Sequence, residues 1–497
     1  MNRTLLDYDW IVMAPELILV CAAVLLSLLD LVLRDEQRRT LIAWLSVLFV
    51  GFSLTVTLSQ WGEAPYEILA DTYRIDAISL SFKVLLLIGV LAVLLLSIAD
   101  VRRSEIEYEG EYYTLLLTAL IGAMLLVSSA DLITLYVGLE LLSISSYILV
   151  GIRKKRQDAN EAAWKYVIYG GVSSAFFLYG LSFIYGITGS TNLYLIQEQL
   201  AEVFVEGFDL YIYLSLFLVL FGLVFKIASS PFHFWVPDVY QGASTPIMTW
   251  LAVVSKIAAF ALLLRIVLIA YYPALQTEWV FMVESIFVAV AVLSLVIGNT
   301  VALRQTHTKR MLAYSSIGHV GFLILPVAMI GPLLFNSLLF YLLAYMLATV
   351  GLLTIVAIVE RETEDEHVSA FAGLNHRSPL LAFATVLFAL SLAGIPITVG
   401  FFAKLHIFLA VLMTRSFWIA GLMVLMTVIS YGYYFELVRQ MYFRPIVVNE
   451  QRSALRLPWT GALLVGLSLV GVIGFGIFPG LILDIWSSLD WRSSIFQ

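Results

Sequence analysis

Apolar runs of 18 or more residues recur along the chain, separated by short polar stretches where Gly, Pro and charged residues collect. Runs of that length match the roughly 20 residues that an α-helix needs to cross a hydrocarbon core. Fourteen spans follow, at approximately 11–33, 40–60, 77–99, 112–130, 131–152, 163–188, 210–240, 244–270, 279–300, 310–330, 332–359, 379–413, 416–437 and 458–487. The pattern predicts an all-α polytopic membrane protein, with residues 1–497 forming a single transmembrane domain.

Two of these runs are interrupted, at Ser229-Ser230-Pro231 and at Gly394-Ile395-Pro396. Proline removes a backbone donor, and such irregular backbone is tolerated at membrane depth only where protein or a wet cavity surrounds it. The breaks also suggest a repeat. Spans four to eight begin near 112 and spans nine to thirteen near 279, so each break falls about 118 residues into its unit. Units of five spans must enter the membrane from opposite faces, the inverted repeat in which ion sites lie at discontinuous helices. The expected divisions are spans one to three at about 11–99, repeat one at about 112–270, repeat two at about 279–437 and a last span at about 458–487.

Composition agrees with the pattern: 61% of residues are hydrophobic and mean hydropathy is +0.96, outside the range of soluble domains. The net charge of -7 comes from acids scattered over loops, which gives no case for nucleic acid. A single cysteine, Cys21, excludes an internal disulfide and an iron–sulfur cluster held by this chain. The first ten residues lack a basic leader region, so the first apolar run is expected to be a helix and not a cleaved signal. With the N-terminus outside, 18 of the 28 basic residues fall on inside loops, against Arg3, Arg74, Arg415 and Arg492 outside. The positive-inside rule then places both termini outside.

The six remaining basic residues lie within spans. Lys83 and Arg265 are near span ends, where a long side chain reaches the interface. Lys226 precedes the first break, Lys256 is central to span eight, and Lys404 follows the second break. A buried ammonium costs a few kcal/mol and is rarely kept without a task. Glu140, in the middle of span five, is the natural partner of Lys226: a pair that separates would favour release of the lysine's proton, whereas a static pair would pin two helices. Lysine suits proton carriage better than arginine, whose charge is permanent. His233 lies between two prolines and reads as a relay or a packing residue. Lys165, near the inside end of span six, reads as an uptake group or a snorkelling cation. His319 reads as a relay or a helix-packing hydrogen bond, and the acidic cluster at Glu360, Glu362, Glu364, Asp365, Glu366 and His367 as a solvated loop. There is no phosphate-binding glycine loop, no dinucleotide fingerprint and no histidine pair for haem. The chain is expected to move charge without handling electrons or ATP.

Four ordered motifs are highly specific: Leu139-Glu140-Leu141-Leu142-Ser143-Ile144-Ser145-Ser146-Tyr147, Pro231 through Gly242, Lys309-Arg310-Met311-Leu312-Ala313-Tyr314-Ser315-Ser316-Ile317, and Ala393-Gly394-Ile395-Pro396 through Lys404. Together they resemble the antiporter-like membrane subunits of respiratory complex I over nearly the whole chain, and Asp238-Val239-Tyr240-Gln241-Gly242 with Lys404 is similar to the subunit N (subunit 2) branch. The resemblance implies a proton-translocating subunit of an NADH:quinone oxidoreductase in a bacterial plasma membrane. It implies a path through Glu140, Lys226, Lys256 and Lys404, with Lys165 and His233 at the positions of the family's span-six lysine and post-break histidine. Ser244 departs from the proline or alanine more usual there. No cofactor is expected in this chain; quinone, FMN and iron–sulfur clusters are expected in partner subunits. Neighbouring antiporter-like subunits and the lipid bilayer are the expected contacts. The alternatives are a subunit of the multisubunit cation/proton antiporters, which share the helical core, and a non-transporting assembly scaffold.

Overall fold

The structure is a computed structural model that describes residues 8–33, 36–100, 106, 109–206, 209–276, 280–331, 333–444, 455 and 457–496. Of the basic residues used for orientation, Arg3, Arg34, Arg102, Arg103, Arg452 and Arg456 lie outside the described residues. Among those described, twelve helices are long and apolar enough to cross a membrane, and three shorter apolar helices accompany them. The short ones are Leu210–Lys226, Pro379–Ala393 and Val399–Met413. They belong to spans seven and twelve, each built from two pieces around its break: Asp209–Lys226 with Trp235–Gly242, and Pro379–Ala393 with Val399–Met413.

The two halves pack alike. Span four (Glu109–Val127) lies along span five (Leu132–Val150) as span nine (Val280–Ala302) lies along span ten (Thr308–Met329). Span six (Gln157–Thr188) touches both pieces of span seven, and span eleven (Leu334–Thr363) touches both pieces of span twelve. Each helix pair closes on glycine. A Cβ on Gly122 would meet the backbone N of Leu142 at 2.6 Å, and one on Gly298 would meet the backbone N of Gly318 at 2.4 Å.

Helices apolar on every side belong in the centre of a bundle. Span eight (Thr245–Ala270), span ten and span eleven each have 94% of their most apolar window buried, whereas spans one (Trp10–Val32) and nine have 33%. Span eight is not a regular α-helix: Trp250–Val254 and Arg265–Ala270 are π-helical, bracketing the stretch that carries Lys256. Such turns recur at functional sites.

Four features depart from the sequence pattern. A two-stranded hairpin, Tyr66–Ile68 with Tyr73–Ile75, fills the loop after span two. Leu193–Glu206 forms a helix between spans six and seven. The last span, expected over about 458–487, ends at Ile477, because Pro479 and Gly480 start a separate short helix, Gly480–Ser487. Lys83 and Arg265 do not snorkel. Lys83 pairs with Glu16 at 2.7 Å, and Arg265 grips Asp76 at 2.8 and 2.9 Å, with the side chains of Lys83, Arg265 and Asp76 fully buried. Partners within protein, absent from a one-dimensional reading, replace the trip to the interface.

Candidate proton path

The first break puts Lys226 at the C-terminal end of the first piece of span seven, because Ala228 turns to φ 61 and ends the helix. Unpaired carbonyls at a helix C-terminus give it partial negative charge, which favours a cation there. The second break repeats the device across the gap. Gly394 caps Pro379–Ala393 at φ +85, and Lys404 reaches back from the second piece to donate to the carbonyl of Ala393 at 2.9 Å. A Cβ at position 394 would lie 2.7 Å from Lys404 Cδ, so glycine serves both the turn and the lysine.

Lys226 and Glu140 do not touch. Lys226 donates to Ser143 Oγ at 2.8 Å, while Glu140 accepts from Ser174 Oγ at 2.5 Å. Glu140 and Ser143 are three residues apart on span five and share one face, so the two charges stand about one helical turn apart. Serine fills the place of the direct ion pair expected from sequence. Ser143 and Lys226 line a cavity with Tyr166, Trp235 and Ser255, the residue before Lys256. Its volume is about 10 Å³, room for about one water.

Lys256 is 2% exposed and donates to the hydroxyl and carbonyl (3.1 Å) of Ser316 in span ten. Tyr345 also donates to Ser316 Oγ, at 2.9 Å, and its ring lies 5.4 Å from the Lys256 ammonium. One turn on, His319 is buried with Nδ1 2.8 Å from Tyr341 OH and Nε2 3.1 Å from Tyr434 OH. His319, Tyr341, Tyr345, Ser391 and Lys404 line another cavity of about 10 Å³.

Two sequence candidates stand apart from this chain. Lys165 is held between Glu161 and Asp238, at 2.6 Å from each, and its side chain is 36% exposed. Arg310 binds the other oxygen of Asp238 at 2.7 Å, so Lys165 belongs to an ion-pair network at the mouth of the bundle. His233 is buried with Nδ1 unpaired, its ring against Phe234 and 6.4 Å from that of Tyr314. The acidic cluster is partly structural: Glu360 pairs with Lys309 at 3.1 Å and Glu366 with His307 at 2.8 Å. Ser143, Ser174, Ser316, Tyr341, Tyr345 and Tyr434 were missed, since hydroxyls in apolar helices carry no sign of what they face. Ser143 and Ser316 lie within the quoted motifs, which was the available signal; Ser174, Tyr341, Tyr345 and Tyr434 lie outside them.

The sequence profile of the family described as NADH:quinone oxidoreductase/Mrp antiporter, TM matches residues 129–430, the stretch that holds Glu140, Lys226, Lys256, His319 and Lys404. NADH-quinone oxidoreductase subunit N of Anoxybacillus flavithermus is 45% identical over 500 residues, covering 100% of this chain and 99% of the relative. The chain belongs to the subunit N family of NADH-quinone oxidoreductases. In solved structures, a chain of respiratory complex I from Thermus thermophilus with bound aureothin matches at a TM-score of 0.78 and 33% identity, over 95% of this chain and 98% of that one. A chain of the Mrp complex from Dietzia sp. shares the fold at a TM-score of 0.82, with 20% identity over 95% of this chain and 96% of that one.

Proposed function

We propose that this chain carries protons across the membrane as a subunit of an NADH:quinone oxidoreductase, along Glu140, Lys226, Lys256, His319 and Lys404. The observation that carries this reading is the row of lysines at helix breaks and beside a π-helical turn, linked through serine and tyrosine hydroxyls and one-water cavities. A hydroxyl donates one proton while accepting another, so it passes charge on without keeping it. A buried ammonium facing only a neutral acceptor gives up its proton more readily than one paired with a carboxylate. Motion of Glu140 toward or away from Lys226 therefore sets when that lysine releases.

The five-span units run in opposite directions through the bilayer in this reading, with both termini outside a bacterial plasma membrane. FMN, iron–sulfur clusters and quinone belong to partner subunits, and neighbouring antiporter-like subunits flank this one. Full-length identity of 45% to a subunit N favours this over a cation/proton antiporter, because the likeness to the Mrp complex reaches the fold alone. The test is Lys256→Met against Lys256→Arg in the assembled complex. Methionine keeps length and bulk, arginine keeps a charge it cannot release, and both should lower NADH-driven proton uptake by roughly tenfold or more. Full pumping in either variant with the complex intact would leave Lys256 as a structural charge, the scaffold reading.

A further inference from the structure

On the face that bears the basic loops, a cavity of about 370 Å³ opens between the loop after span nine, the loop after span eleven and the end of span thirteen (Phe417–Phe443). Its wall includes Arg304, Gln305, His367, Glu436 and Gln440, and Tyr433 lies at its buried end. None of these residues belongs to the path above.

Tyr433 connects the cavity to that path. Its hydroxyl donates to Asn299 Oδ1 at 3.0 Å, and its ring packs 4.4 Å from that of Tyr434. Ser315 and Tyr434 share a hydrogen bond, and Tyr434 OH meets His319 Nε2 at 3.1 Å. His319 Nδ1 meets Tyr341 OH at 2.8 Å, and both line the cavity of Lys404. A row of exchangeable protons thus runs from the cavity to the second lysine centre, with one step, from Tyr433 to the Ser315–Tyr434 pair, made between packed rings and completed by the turn of a hydroxyl. Each hydroxyl or ring nitrogen can accept one proton as it donates another, so transfer along the row leaves every charge unchanged and reverses the hydroxyl rotors and the His319 tautomer, which turn back before the next proton.

We propose that this cavity is a second, inside-facing proton inlet that feeds His319 through Tyr433 and Tyr434 without passing Lys226. It rests on the proton-translocation reading. An open vestibule with room for several waters, ending on a hydrogen-bonded tyrosine, is what such an inlet requires, since bulk water can then reach the first relay.

The experiment uses the assembled complex in everted vesicles, with Cys21 replaced by serine. Leu303→Cys, on the exposed wall of the cavity, is treated from the inside face with an impermeant charged methanethiosulfonate. A relay is worth about 10²–10⁴-fold where it acts alone, so in the Lys256→Met background, where the first-half route is closed, we expect labelling to remove most of the remaining proton uptake, and a thiol reductant to restore it. Tyr433→Phe should give a similar loss with the complex intact; should it fail to assemble, the labelled Leu303→Cys protein decides. Unreactive Leu303→Cys, or undiminished pumping after labelling, overturns the inlet. Lys404→Ala, which both routes share, run in parallel separates the two ideas. Loss of pumping there with none at Leu303 defeats the inlet alone, whereas full pumping in Lys404→Ala with the complex intact defeats the translocation reading itself.

Discussion

Lys226 reaches Ser143 at 2.8 Å, one turn along span five from Glu140, and the two opposite charges make no ion pair in this conformation. A pair held apart by serines can close or open without a helix having to move. Glu140→Gln keeps the hydrogen bond with Ser174 but removes the charge that Lys226 responds to. Proton pumping per NADH oxidised should fall by roughly tenfold, while the complex still assembles. Parental pumping from an intact Glu140→Gln enzyme would refute the switch.

At the second break the prediction concerns direction. Lys404→Ala leaves the carbonyl of Ala393 without its partner and should depress pumping. Gly394→Ala should do so too, because φ +85 and a contact at 2.7 Å both oppose a Cβ; backbone strain of this kind costs about 1–3 kcal/mol. With Cys21 replaced, Thr398→Cys should react with an impermeant thiol reagent from outside faster than Ser229→Cys beside Lys226. Equal labelling, or labelling of Thr398→Cys from inside only, would make Lys404 an inward relay or a structural charge.

The clamp between Arg265 and Asp76 should govern stability. Both side chains are fully buried, and Arg265 Nε also donates to the carbonyl of Val127 at 3.0 Å, tying span eight to the ends of spans three and four. Asp76→Asn strands a buried guanidinium, a loss of about 3–5 kcal/mol, and should lower the thermal midpoint of the purified complex. Replacing both residues by apolar ones of similar volume should recover much of that loss. A change under about 1 kcal/mol in the single variant would mean that Arg265 finds another partner.

In the loops after spans nine and eleven, the pH dependence has a definite sign. The His307 hydrogen bond, aided by Lys309, holds the Glu366 carboxyl down to about 2 against the effect of burial. A carboxylate whose folded pKa is depressed stabilises the fold above its unfolded value, near 4.5, and that contribution is lost as pH falls toward 2. Protease resistance of the 364–373 loop should therefore differ between the parent and Glu366→Gln at pH 7, and the difference should shrink below pH 4.5. A gap that is constant with pH would assign the effect to shape and not charge.

The spans, the two breaks and the lysines were legible because a charge or a proline in an apolar run is costly and so stands out. What escaped was everything set by neighbours in space. Lys83 and Arg265 read as snorkelling because Glu16 and Asp76 are distant in sequence. Glu140 and Lys226 read as an ion pair because nothing in the chain announces Ser143 and Ser174 between them. Lys165 read equally as an uptake group or a surface cation, and its bond to Asp238 depends on how span seven resumes after its break. The π-helical turns of span eight were invisible too: an added residue per turn shifts every later side chain around the axis, and no composition records it.

Gly122 facing span five and Gly298 facing span ten bring backbones so close that each of these helix pairs behaves as a single stiff rod. Sliding one member past the other would drive Cα atoms through carbonyl oxygens. Within these two pairs the freedom to move is thereby left to side-chain rotors, while the breaks at Ala228 and Gly394 lie on other helices. Paired in this way, spans four and five and spans nine and ten form a frame that a shift in field or in one rotamer can cross without either helix sliding on its partner.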